Sequence, residues 1–289
     1  MLLICGTIPQ AGASLVMGEV SFDGSRLAVG NTEIPCTQGT AALASAACVV
    51  AKHCGSAAPH AVFAGDTGSG KGSRLLYDYL SNNLPQLSPD ILLMHYILPV
   101  MGLMKQVCAA ADKCGKKPVM MADASSMYAA KAAGLAGQFD IFTPDLSEME
   151  FLADPDAIHP AYISRHLFRA DIACADDLIA AAFRQKSMAK TVVIKGATDH
   201  VIQEGKVKFT LSEPDLPALE AIGGTGDTVT GIVAALIEAG YAIPEAAVIA
   251  ATANRMAGRL ARPNPATAVK DIISHIPRAL EEALFEKGK

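Results

Sequence analysis

The chain has 289 residues and a mass of 30.0 kDa, with 51% hydrophobic and 18% charged residues and a formal net charge of −5. A chain this apolar can bury a large core and is no disordered segment, and its scattered Lys and Arg form no basic face for nucleic acid or an anionic membrane. Aromatic residues are 5% with no Trp, so the core rests on Ala, Val, Ile, Leu and Met, as in doubly wound α/β proteins.

Short β-like runs alternate with longer helical stretches along the chain. Leu2–Cys5 is a predicted strand, and Leu15–Ile34 alternates around Asp23-Gly24, a hairpin turn signal. Thr37–Lys52, nearly all small apolar residues before Gly55, predicts a helix buried on most sides. Ala61–Ala64 predicts a strand entering the glycine-rich loop Gly65–Gly72, followed by a helix over Ser73–Leu80. Ile91–Met94 is a strand and Lys105–Lys113 a helix closed by Gly115. Pro118–Met121 delivers Asp123, and Asp140–Phe142 delivers Thr143-Pro144-Asp145 before a helix starting over Glu148–Leu152. Residues 154–172 predict an irregular surface insertion or lid carrying His159, Arg165 and His166. Asp176–Ala189 predicts a helix, and Thr191–Ile194 a strand delivering Lys195-Gly196. His200–Gln203 and Val207–Leu211 flank a hairpin turn. A glycine-rich turn and helix over Gly223–Gly240, a helix over Pro244–Ala261 with Pro in its first turn, and a terminal helix over Asp271–Leu284 complete the chain. The βα alternation predicts a mostly parallel sheet covered on both faces, with ligands past the carboxyl ends of the strands. That rim gathers the Gly65 loop, Asp123, Asp145, Lys195 and Gly223–Asp227. With no linker, low-complexity tract or repeat, residues 1–289 are expected to form one domain.

The segment Ile222-Gly223-Gly224-Thr225-Gly226-Asp227-Thr228-Val229-Thr230-Gly231 carries the strongest signal. Small residues let backbone amides approach a phosphate, and a helix starting at about Thr225–Asp227 adds its unpaired amides and positive dipole end. Asp227 at such a terminus can be a simple cap. It can also take the proton of an attacking hydroxyl while the nest holds a transferred phosphoryl group.

Gly-Gly-Thr-Gly-Asp-Thr followed by Gly231 resembles the signature of the ribokinase-like superfamily, and within it that of the ATP- or ADP-dependent NAD(P)H-hydrate dehydratases. Val119–Ala124, ending in Asp123-Ala124, resembles the family strand ending in Asp-Ala. Phe142–Glu148 resembles its Thr-Pro-His-x-Gly-Glu, Val193–Ala197 its Lys-Gly-Ala strand end, and Ala250–Gly258 the helix flanking the nucleotide. The likeness covers about residues 117–285, the nucleotide-binding half. Residues 1–115 are divergent. The resemblance implies a ribokinase-like three-layer α/β/α sandwich with a mostly parallel central sheet. It implies Asp227 as base, Gly224, Thr225 and Gly226 as anion hole, and Lys195, Gly196 and Asn254 near ATP or ADP. It also implies Asp145 and Glu148 organising Mg²⁺ through water, which suits an ion that keeps several waters. Asp145 and Ser147 replace the family's His and Gly, which leaves the acceptor open. The implied activity is phosphoryl transfer to a small-molecule hydroxyl, as in repair of hydrated NAD(P)H. A stable phosphate ester of a sugar or hydroxymethylpyrimidine is the alternative outcome.

Gly65–Ser73 nearly matches Gly-x4-Gly-Lys-[Ser/Thr], the P-loop, between a strand and a helix as that loop requires. Position 72 is Gly, where a P-loop has the Mg²⁺-ligating Ser or Thr. The loop can be a P-loop of a hydrolysing NTPase, a substrate-anion loop using Asp66, Gly70 and Lys71, or a structural turn. His95 and Asp123 are further candidates to line the substrate cleft, and Tyr128 and Lys131 lie one turn beyond Asp123. The seven cysteines include no Cys-x-x-Cys pair and are expected as free thiols of a reducing compartment. The N-terminus has no basic leader, and the apolar run Ile91–Met104 falls short of the ~20 residues of a membrane span. A cytoplasmic enzyme is expected, with no nucleic-acid or membrane partner. Small residues over Pro244–Ala261 suit either core packing or a homo-oligomer.

Overall fold

The computed structural model describes residues 1–12, 14–157 and 175–287. Eleven strands form one sheet in the order β11-β10-β9-β8-β7-β6-β1-β5-β2-β3-β4. Its centre is parallel: β1 (Leu2–Ile8), β5 (His60–Gly65), β6 (Ile91–His95), β7 (Val119–Asp123), β8 (Ile141–Phe142) and β9 (Thr191–Ile194). Each of these is apolar through its middle, with polar side chains only towards its ends, as strands buried on both faces require. Both edges are antiparallel: β10 (Asp199–Gln203) and β11 (Lys206–Leu211) on one side, β2 (Val16–Phe22), β3 (Arg26–Val29) and β4 (Thr32–Pro35) on the other.

Alternate residues of a strand feed opposite cores. Leu2 and Ile4 pack beneath α1 (Gly39–Cys54), α7 (Thr225–Glu238), α8 (Ile243–Ala261), α9 (Val269–Ile273) and α10 (Ile276–Lys287). Leu3 and Cys5 pack beneath α2 (Lys71–Leu87), α3 (Met101–Ala111), α4 (Ser125–Ala132), α5 (Leu146–Ala153) and α6 (Ala175–Arg184). The result is the expected α/β/α sandwich. Helix α1 is buried continuously from Thr40 to Ala47 and stops at Gly55, whose φ of 67° is open to glycine. Helices α1 and α7 cross so closely that a Cβ on Gly231 would lie 2.1 Å from the Leu43 carbonyl oxygen.

Several element bounds differ from the sequence expectation. The stretch 15–34 is three strands with the first turn at Asp23, whose carboxylate accepts from the Ser25 and Arg26 amides. A second turn carries Gly30 at φ 54°. Helix α2 runs past Leu80 to Leu87, with Pro85 in its last turn. Ser125–Ala132 is helical, and α6 ends at Arg184 rather than Ala189. The terminal helix is two, separated after Ile273 and restarted at Ile276-Pro277, where Pro suits a first turn. Of the segment 154–172, only residues 154–157 are described. His159, Arg165 and His166 lie outside the described residues, as does Cys174. The other six cysteines are free thiols, four of them buried. Among the described residues no helix is long and apolar enough to cross a membrane.

Candidate active site

Parallel strands bring Thr7, His95, Asp123 and Lys195 to one rim, because β1, β6, β7 and β9 all end there. Helix α7 enters from above. Its N-cap Gly224 has φ 98°, and no side chain caps the terminus. Thr225, Gly226 and Asp227, the first residues of the helix, line a cavity of about 610 Å³. The first amides of a helix have no partner within it, so this end presents donors and the positive dipole end to that cavity. A Cβ on Gly224 would meet Ala42, Gln38 and Val269 at 3.1–3.2 Å, whereas the nearest atom to one on Gly226 is Lys195 at 3.8 Å. Gly224 is therefore required by the turn. Gly226 keeps space open above the lysine.

The Asp227 side chain is 14% exposed. Its Oδ2 accepts the Gly39 amide at 2.8 Å, and its Oδ1 lies 3.1 Å from His95 Nε2. Burial works to raise this carboxyl, but His95, then Lys195 and the Gly39 amide, hold it below the ordinary aspartate value. Asp227 is thus ionised and faces the cavity.

Behind it lies a buried polar network. Asp123, 1% exposed, accepts Lys195 Nζ on both oxygens at 3.0 Å, the Ala124 amide at 2.8 Å and Thr230 Oγ1 at 2.6 Å. Thr143 Oγ1 lies 2.8 Å from Thr230 Oγ1, whose proton goes to Asp123, so Thr143 donates to it. Burial disfavours the Lys195 charge, yet Asp123, Glu148 and Asp227 together hold its ammonium above the usual lysine range. Asp123 was expected at the substrate. It borders the cavity, with both oxygens engaged by protein donors, Lys195 among them. His95, also expected there, is 0% exposed and stands behind Asp227 instead.

Asp145 and Glu148 form a capping box at the start of α5. Asp145 Oδ1 accepts the Glu148 amide and Glu148 Oε2 accepts the Asp145 amide. The box uses one oxygen of each carboxylate, so each keeps one outside it, and both residues line the cavity. Burial pushes the Glu148 carboxyl up to about 8 against the pull of Lys195.

The far wall of the cavity is built by Arg255 of α8, a residue sequence reasoning left outside the candidate site. All its donors are used: Nε to Asp199 at 2.7 Å, Nη1 to the carbonyls of Ser212 and Pro214, and Nη2 to those of Gly196 and Ala197. It ties the β9–β10 turn to the loop over residues 212–216. Asn254 lines the cavity while its amide fastens the first turn of α7, accepting from Thr228 Oγ1 and donating to the Thr225 carbonyl. Leu219 packs where a Cβ on Gly258 would stand, 2.4 Å away. Leu216, Leu219 and Ala197 give this end of the cavity apolar side chains, beside the charged Asp215 and Glu220.

The loop Gly65–Ser73 is apart from this cavity. Its amide nest is filled by its own Asp66, which accepts from the amides of Gly68, Gly70 and Ser73 and from Ser73 Oγ. A carboxylate sits where a P-loop would hold phosphate, and Lys71 is exposed, so the P-loop and substrate-anion readings of Asp66, Gly70 and Lys71 give way to a structural turn. Tyr128 and Lys131 also turn away from the chemistry: Lys131 donates to the carbonyls of Phe151 and Asp154, and Tyr128 stacks on Phe151. Tyr96, next to His95, does line the cavity, at 47% exposure with φ 53° and its ring against Gly39.

Comparison with known proteins follows the same lines. A solved ribokinase-like superfamily protein from Enterococcus faecalis superimposes with a TM-score of 0.57 at 16% identity, over 98% of this chain and 86% of that one. An uncharacterized protein of Methanocaldococcus jannaschii, MJ1337, is 39% identical over 76% of this chain and 90% of its own length. The bifunctional NAD(P)H-hydrate repair enzyme Nnr of Pyrobaculum aerophilum is 28% identical over 59% of this chain, which spans 31% of that protein. The ADP-dependent (S)-NAD(P)H-hydrate dehydratase of Nitrosopumilus maritimus is 38% identical over 27% of this chain and 26% of its own length. The family described as NAD(P)H-hydrate dehydratase matches residues 102–278, a span holding Asp123, Asp145, Lys195 and the Gly223–Asp227 turn. With the fold, the rim and this match in agreement, the chain belongs to the NAD(P)H-hydrate dehydratase family of ribokinase-like enzymes.

Proposed function

We propose that this chain uses ADP or ATP to dehydrate hydrated NAD(P)H. The observation that carries the reading is the ionised Asp227 facing the cavity at the uncapped N-terminus of α7. The base end of the nucleotide lies against Leu216, Leu219 and Ala197, and its terminal phosphate against the amides of Thr225, Gly226 and Asp227. The acceptor hydroxyl approaches from the side of Tyr96. Its oxygen attacks the terminal phosphorus, the bond to the departing nucleotide breaks, and Asp227 takes the hydroxyl proton. The amides stabilise charge on the phosphoryl oxygens, where such donors contribute most. Because phosphoryl transfer has a loose transition state, a base of lowered proton affinity suffices. The second stage breaks the carbon–oxygen bond, releases phosphate and a proton from the neighbouring carbon, and restores the ring double bond.

Asp145 and Glu148 fit a hydrated Mg²⁺, each with an oxygen left over from the capping box. When bound, the ion neutralises phosphate charge. Asp145 in place of the family histidine favours a second reading, in which the ester is the final product. Hydrated NADH with ADP or ATP decides between them. Recovery of reduced-nicotinamide absorbance with nucleotide consumption supports dehydration. Consumption without recovery, on a sugar or pyrimidine alcohol, supports the kinase. Asp227→Asn is expected to lower turnover ~10²-fold or more while nucleotide binding survives, and a near-normal rate would remove Asp227 from the base role.

A further inference from the structure

The buried imidazole of His95 connects the divergent N-terminal half to the family signature. Thr40 Oγ1 donates its single proton to the Thr7 carbonyl at 2.6 Å. At 2.9 Å from His95 Nδ1 that hydroxyl can therefore only accept, so Nδ1 carries a hydrogen. The other nitrogen, Nε2, lies 3.1 Å from Asp227 Oδ1 and 3.7 Å from Asp123 Oδ2. A lone pair there would face two carboxylates, so Nε2 carries a hydrogen as well. The groups facing the ring are Thr40 from α1, Asp123 from β7, Asp227 from α7 and its neighbour Tyr96, edge-on at 4.4 Å between ring centroids. Lys195 completes the set through Asp123. Two carboxylates and two cations then balance within one cluster.

The geometry points to His95 as a positioning residue: a doubly protonated imidazole, oriented by the Thr40–Thr7 chain, that fixes the Asp227 carboxylate from behind and leaves its cavity-facing lone pairs for the incoming hydroxyl. This rests on the assignment of Asp227 as base. Without His95, Asp227 would stand beside Asp123 with one buried cation for two like charges, and would turn or take up a proton. With it, the Gly39 amide holds one oxygen and the imidazole the other.

The test combines spectroscopy and kinetics on the full chain. In ¹⁵N-histidine NMR of the wild type, both His95 nitrogens should report bound hydrogens, and Asp227→Asn should move the Nε2 signal most. One bare ring nitrogen overturns the proposal. His95→Ala should lower turnover ~10²-fold with little change in nucleotide KM, move the acid limb of the pH–rate profile upward, and recover part of its rate with added imidazole. His95→Gln, which retains an N–H donor without the charge, should fold normally, fall between the two in rate and show the same shifted limb. Wild-type rates and pH profile in the Gln variant overturn the charged role even if the Ala variant unfolds. Normal turnover in Asp227→Asn would instead defeat the base assignment, leaving the NMR result to stand separately.

Discussion

Asp227 accepts the backbone amide of Gly39 across 188 residues of sequence. The third residue of α7 and the first of α1 thus meet at one carboxylate, and two helix N-termini share one negative charge. The arrangement stabilises that charge by the same dipole effect that attracts phosphate, and it makes the N-terminal half a structural part of the site.

Gly224 and Gly226 should fail differently. Gly224→Ala places a Cβ at φ 98° and within 3.1 Å of Ala42 and Gln38, so it should destabilise by ~1–3 kcal/mol. Gly226→Ala meets only ordinary contacts and should melt near wild type. If Gly226 lines the anion hole as proposed, the added methyl would stand where a phosphate oxygen binds, and turnover should fall ~10²-fold or more. Thermal melts beside steady-state rates check both, and equal loss of stability in the two would contradict the distinction.

Lys195→Met should be severe for folding as well as for activity. Asp123 would lose the ammonium that contacts both its oxygens at 3.0 Å, leaving a buried carboxylate unpaired at a cost of ~3–5 kcal/mol. Adding Asp123→Asn should restore part of the stability and none of the activity. Urea denaturation of Lys195→Met, Asp123→Asn and the double variant measures this, and a double-variant effect equal to the sum of the single effects would show that the pair is uncoupled.

Much of this site was visible as a set of strand ends. β7 and β9 stop at Asp123 and just before Lys195, as their apolar runs imply, and both residues reach the rim. Their pairing with each other and with Thr230 was not visible, because the partners are 72 and 107 residues away. The same limit hid the partners of His95, which was expected at the substrate cleft, since a polar residue ending an apolar strand reads alike whether it faces solvent or a second carboxylate. In Gly65–Ser73 spacing and composition imitate a phosphate loop. The deciding fact, that Asp66 fills the nest, is a matter of side-chain direction. Arg255 went unassigned because its five partners are mostly carbonyls, which leave no mark in a sequence.

Stability should fall with rising pH through Glu148. Its carboxyl is held at about 8 in the folded chain against an ordinary value of 4.5. Between those values the folded state keeps a proton that the unfolded state has lost, so the stabilising difference is full below about 4.5 and gone once pH passes about 8. Glu148→Gln keeps an acceptor for the Asp145 amide and removes this slope. Melting temperatures of both proteins across that range give the difference, and parallel curves would contradict the assignment.

The Asp66 loop predicts separate outcomes for neighbouring residues. Lys71→Ala should leave nucleotide turnover within ~2-fold, as for an exposed side chain outside the chemistry. Asp66→Ala should strip acceptors from the first turn of α2 and lower stability by ~1–3 kcal/mol. Loss of turnover in the lysine variant at unchanged stability would restore a phosphate-binding role to the loop.

The contact between Gly231 and the Leu43 carbonyl sets a rule for hybrids. Exchanging the first hundred residues between relatives will succeed only where the donor helix brings a matching backbone ridge and small neighbours to that crossing. A bulky replacement there would tilt the two helices apart and draw the Gly39 amide off the Asp227 carboxylate, silencing an enzyme whose signature residues are all intact.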